Sequence, residues 1–104
     1  NQAVQAAKLG SRVAMVTKVG DDLHGNSTIR NFEVHGVAVS HVSRGPPGVS
    51  HGVAPITVDQ SSGENSIVIV LGAGGLLSLR HVGDRRHLVQ PGASNEPPAA
   101  VTGV

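Results

Sequence analysis

The amino-acid sequence predicts an α/β chain. A helix-forming run, an apolar run of strand length and a second helical stretch follow one another over residues 2–35, and alternating β-branched residues begin after Gly36. Residues 2–9 (QAVQAAKL) are strong helix formers, and Gly10 can take the left-handed conformation that ends a helix. With no Met at its start, this run reads as a helix cut at its front. Residues 12–17 (RVAMVT) then form a short apolar strand, closed by the turn cluster Val19, Gly20, Asp21 and Asp22, whose carboxylates can cap the next helix. Residues 22–35 follow as that helix, with a weak apolar stripe of Leu23, Ile29 and Phe32.

Alternation at Val37, Val39 and Val42 predicts a strand over 37–42, broken by the Gly-Pro-Pro-Gly stretch at 45–48. Two further strands, 53–58 and 66–71, flank the polar connection DQSSGEN at 59–65, a hairpin pattern. Pro55 has no N–H for a ladder, which places its strand at an edge. The tetrapeptide HGVA occurs at 35–38 and again at 51–54, by chance or as two similar strand entries. Beyond Leu79 the pattern decays into mixed charge, Gly and Pro, with one apolar patch at Leu88 and Val89, so a loose tail is expected from about residue 90.

Composition narrows the function. The single aromatic, Phe32, and 14 Gly among 104 residues leave burial to aliphatic side chains and predict a thin core. Eight basic and seven acidic residues without long runs leave no electrostatic footprint for nucleic acid or an anionic membrane. There is neither a run of about 18 apolar residues for a membrane span nor a basic-then-apolar start for a secretory signal. The absence of Cys excludes disulfides and thiolate metal sites and fits a reducing compartment, so a cytoplasmic or nuclear location is expected.

Individual residues name no catalyst. The six His, at 24, 35, 41, 51, 81 and 87, lack the short spacing of zinc ligands and read as solvated or loop residues. Gly72–Gly75 (GAGG) follows a strand but lacks the Lys-Ser/Thr of a phosphate-cradling loop, and Leu77 stands where a dinucleotide fingerprint needs its last Gly. A strand-ending turn is the simpler reading. Asp21 and Asp22 read as helix-start residues before they read as an acid pair.

The ordered segments together carry more. NQAVQAAKLGSRVAMVTKVGDDLHGN, then GVAVSHV, HGVAPITVD and SGENSIVIVLGA, closely resemble the N-terminal half of the ribokinases, within the PfkB family of sugar kinases, over residues 1–78. The resemblance implies a three-layer α/β fold with a small β-sheet lid, here incomplete, with lid strands at about 37–42, 53–58 and 66–71, followed by a divergent tail at 79–104. It implies ATP-dependent phosphorylation of D-ribose at its 5-hydroxyl, with Mg²⁺ and a monovalent cation such as K⁺, and a homodimer paired through the lid. In such kinases the Asn at position 1 follows a Gly-Gly-Lys-Gly-Ala segment and hydrogen-bonds sugar hydroxyls. By the same likeness Ala54 and Ile56 meet the sugar and Ile69 reaches it across the dimer, although ordinary strand packing accounts for these three equally well. Glu96 corresponds to a sugar-contacting Glu, but Pro91 and Gly92 interrupt the strand that would aim it.

The catalytic base of the family, an Asp in a Gly-Ala-Gly-Asp motif, has no counterpart in these 104 residues, so no catalytic or metal-binding residue is expected within them. The segment alone is accordingly expected to be inactive. Departures from the family pattern are His24 for an aromatic, Gly74 for Asn, and His51 for a frequent Thr. Rival readings are another sugar kinase of the family, such as fructokinase, or a non-catalytic dimerisation module built on the lid strands.

Overall fold

The computed structural model describes residues 1–83 and 99–102; the element order is α1 (Gln2–Lys8), β1 (Val13–Val19), α2 (Leu23–Val34), β2 (Val42–Arg44), β3 (Ile56–Val58), β4 (Asn65–Ile67), a 3-10 helix (Gly72–Leu76), α3 (Leu79–Gly83) and β5 (Ala99–Thr102). This is the expected α/β class. Three strands form a parallel sheet in the order β2-β1-β5, and β3 with β4 forms a separate antiparallel pair.

β1 sits at the centre of the parallel sheet because its sequence, VAMVTKV, is apolar on both faces. Val13, Met15, Val16, Thr17 and Val19 are all buried, as a strand with a neighbour on each edge requires. Val13 and Met15 meet Ala3 of α1, Phe32 of α2 and Val37 in one apolar cluster, bordered by Val4, Ala6, Ala7, Val39 and Val42. The only aromatic side chain of the chain is thus the largest member of its core. Phe32→Ala is expected to lower stability by about 3–5 kcal/mol, measured by urea denaturation.

α1 ends as predicted: Gly10 has φ 93°, and the Gly10 and Ser11 N–H groups donate to the Ala7 and Ala6 carbonyls. Asn1 occupies the cap position in front of α1, but its side chain makes no capping hydrogen bond.

The strand expected at 37–42 is a correction. Ala38 forms only an isolated bridge to Ala14, and the regular strand is β2, which pairs in parallel with β1 from Thr17↔Val42 to Val19↔Arg44. This segment therefore extends the core sheet and is not part of the hairpin. The alternation of Val37, Val39 and Val42 is common to both placements; the partner strand decided between them.

In the hairpin, Ile56↔Ile67, Thr57↔Ser66 and Val58↔Asn65 are paired, and a bridge between Val53 and Val70 closes its base. The turn is organised by Asp59, whose Oδ1 accepts from the Ser61 hydroxyl (2.6 Å) and the Ser61 N–H (2.7 Å). Those bonds, first the Ser61 hydroxyl and then the backbone amides, hold the Asp59 carboxyl below its ordinary pKa. Pro55 takes part only through its carbonyl, which accepts from the Val68 N–H at 3.1 Å, so its missing donor costs the ladder nothing.

In the region expected to be divergent, α3 is a short helix and β5 pairs in parallel with β1 from Val13↔Ala99 to Val16↔Thr102. β5 departs from the loose tail expected there. The rest of that expectation, with the patch at Leu88 and Val89, lies outside the described residues.

Candidate functional site

Where β1 ends, four segments converge: the Gly20–Asp22 turn, the first turns of α2, the approach to the hairpin at 49–52, and the 3-10 helix. Asp22 ties three of them. Its Oδ1 accepts from the Gly25 N–H at 2.8 Å, capping α2, and its Oδ2 accepts from the His51 N–H at 2.7 Å. The His51 and Gly25 amide bonds, in that order, hold the Asp22 carboxyl below its ordinary pKa. The His51 ring bridges the same region, with Nδ1 3.3 Å from the Gly20 N and Nε2 3.1 Å from Thr28 Oγ1. Arg44, at the end of β2, donates to the Gly20 carbonyl (3.2 Å) and Asn26 Oδ1 (2.6 Å) and pairs with Asp21 at 3.4 Å.

The 3-10 helix is fastened to this junction. The Ala73 N–H donates to the Ser50 carbonyl at 2.8 Å, and Ala73 is completely buried. Gly72–Gly75 is thus a packed turn, as its sequence suggested.

Between this junction, the inner end of α1 and the base of the hairpin lies a mostly apolar cavity of about 360 Å³, within the size range of small-molecule pockets. Asn1, Ala54 and Ile69 line it, together with Thr28, His51 and Phe32. Asn1 and Ala54, both singled out in the sequence, thus share one space, and Ile69 lines it from the same chain, whereas the resemblance implied that Ile69 reaches the sugar across a dimer. Ile56 is not among its lining residues; it lies two positions beyond Ala54 on β3 and is 59% exposed. Glu96 lies outside the described residues. Thr28 and His51 were not singled out, because a helical Thr and a loop His carry no signal of their own; the departure at His51 was the one available hint.

No cluster of three or more His, Asp or Glu that could hold a metal ion occurs among the described residues, and no helix there is long and apolar enough to cross a membrane.

Fold and site together define an α/β unit with an antiparallel hairpin beside a small cavity. The chain belongs to the PfkB family of carbohydrate kinases, whose family model, described as "pfkB family carbohydrate kinase", matches residues 1–94. It is 53% identical over 78 residues to the deoxyribokinase of Salmonella typhi, an alignment covering 75% of this chain and 25% of that protein. Among solved structures it is similar to the ribokinase of Giardia lamblia, with a TM-score of 0.73 and 33% identity over 86% of this chain and 27% of that one. It is also similar to an E. coli structure described as a ribokinase II in complex with ATP and Mg²⁺, with a TM-score of 0.66 and 26% identity over 75% of this chain and 24% of that one. The chain thus spans about a quarter of the length of these relatives.

Proposed function

We propose that this segment supplies part of the sugar site and the lid of a pentose kinase that transfers the γ-phosphoryl group of ATP to the 5-hydroxyl of D-ribose. The observation that carries the reading is the convergence of Asn1, Ala54 and Ile69 on one small cavity at the hairpin base, in a chain of the PfkB family. A sugar is a fit occupant because the cavity offers both polar and apolar groups: the Asn1 amide and Thr28 hydroxyl can bond sugar oxygens, while Ala54 and Ile69 cover the carbon skeleton and exclude water. Excluding water and holding the hydroxyl in place are what such a segment can contribute to phosphoryl transfer. ATP, Mg²⁺ and the base that takes the hydroxyl proton belong, in this reading, to other parts of the protein.

Deoxyribose is the second reading, favoured by the 53% identity to a protein named deoxyribokinase. Turnover of the full-length protein with Mg-ATP on ribose, 2-deoxyribose and fructose separates these from a fructokinase. Failure to phosphorylate either pentose would overturn the proposal. Ala54→Phe is expected to fill the cavity and raise the KM for the preferred pentose about tenfold or more, with the KM for ATP little changed.

The same reading assigns the hairpin as a lid that also pairs two copies in a cytoplasmic enzyme. Supporting it, Ile56, Val58, Ile67, Val68 and Ile69 are each between 53% and 69% exposed in the single chain, a density of apolar surface that calls for a partner. Sedimentation of the full-length protein is expected to show a dimer; a monomer at micromolar concentration would refute the pairing.

A further inference from the structure

The point where the chain enters the hairpin is held by His51. Its backbone N–H is bound by Asp22, and its ring reaches both the end of β1 and the side of α2. The chemistry of these partners determines how the ring is protonated. The Gly20 amide can only donate, so Nδ1 must accept, and the single hydrogen of the neutral imidazole resides on Nε2. Nε2–H then donates to Thr28 Oγ1 at 3.1 Å. With that lone pair taken, the Thr28 hydroxyl hydrogen points away from the ring, and both side chains line the cavity that holds Asn1, Ala54 and Ile69.

We propose that Thr28 is a sugar-binding residue, donating its hydroxyl hydrogen to an oxygen of the bound pentose, and that His51 is the positioning residue that orients it and fixes the hinge of the hairpin. The inference rests on the cavity being the sugar site. His51 acts on two fronts at once. Through Gly20 and Asp22 it sets where Gly52 and Val53 leave the body, and hence where Ala54 sits over the cavity. Through Thr28 it converts a hydroxyl that could rotate freely into a directed donor.

The test uses the full-length protein. Thr28→Val, which keeps the shape and removes the hydroxyl, is expected to raise the pentose KM about tenfold, the worth of one ordinary hydrogen bond. The KM for ATP should stay near wild type while the Tm falls modestly, because His51 Nε2–H loses its acceptor, and Thr28→Ser should restore both the pentose KM and the Tm. The ¹⁵N resonances of His51 in the same protein are expected to report the Nε2–H tautomer. An unchanged pentose KM in Thr28→Val, or equal loss of pentose and ATP affinity, would overturn the role of Thr28. An Nδ1–H tautomer would overturn that of His51. A wild-type protein inactive on every pentose refutes the broader reading instead, a result distinct from an active enzyme indifferent to Thr28→Val.

Discussion

Gly25→Ala is expected to destabilise the fold by about 1–3 kcal/mol or more, although replacing an interior helical Gly with Ala usually gains roughly 1 kcal/mol. Gly25 is buried in the first turn of α2, and a Cβ placed there would fall on the Gly20 carbonyl oxygen. A Cβ on Gly20 would in turn fall on the backbone nitrogen of His51. Both obstacles are backbone atoms, so neither can rotate aside as the tip of a long side chain would. Relief requires separating α2 from the β1 exit, which pulls on the Asp22 cap and on His51. The steric term therefore exceeds the helix-propensity gain. Urea denaturation of the full-length protein reads the sign directly. A more stable Gly25→Ala protein would disprove the close approach.

Asp22→Asn is expected to loosen the same junction and to make its stability less dependent on pH. The two carboxylate oxygens serve different donors, Oδ1 the Gly25 N–H and Oδ2 the His51 N–H. An amide offers one oxygen, so whichever donor keeps it, the other faces an NH₂ group. Asn is as good a helix cap as Asp, and the loss therefore falls on the His51 contact and on the entry to the hairpin. The direction with pH follows from the depressed carboxyl pKa, caused first by the His51 amide and then by the Gly25 amide. A carboxyl whose pKa is lower folded than unfolded adds stability at pH values above its unfolded pKa, and that stability disappears as pH falls through the folded value. Wild type and Asp22→Asn should thus differ most near neutrality and converge below about pH 4, as read by Tm against pH. A constant gap down to strongly acid pH would contradict this account. Asp21→Asn, which loses only an exposed contact with Arg44, should change Tm little at any pH.

Much of the local structure was legible in the residues. α1 stops at Gly10, α2 starts at Asp22, and the 59–65 connection closes a hairpin, because each of these depends on side chains or φ values acting within a few positions. β2 was misplaced because Val37, Val39 and Val42 specify an extended, half-buried chain without specifying a partner. Pairing with β1 in parallel depends on a crossover through α2 that no short window contains. His51 was read as a loop or solvated residue. It does lie in a loop, but both ring nitrogens are engaged by residues 31 and 23 positions away.

The sequence by itself determined the α/β class, because helix formers and turn residues act in line along the chain, and its ordered motifs carried the resemblance to sugar kinases that named Asn1, Ala54 and Ile69, with Ile56 and Glu96, as candidates. Only the tertiary structure decided that Asn1, Ala54 and Ile69 share a cavity, that Ile56 is not part of its lining, and that His51 and Thr28 stand beside them. Those facts depend on distances between segments far apart in sequence, set by the close packing of Gly20, Gly25 and Asp22 against the loop that carries His51.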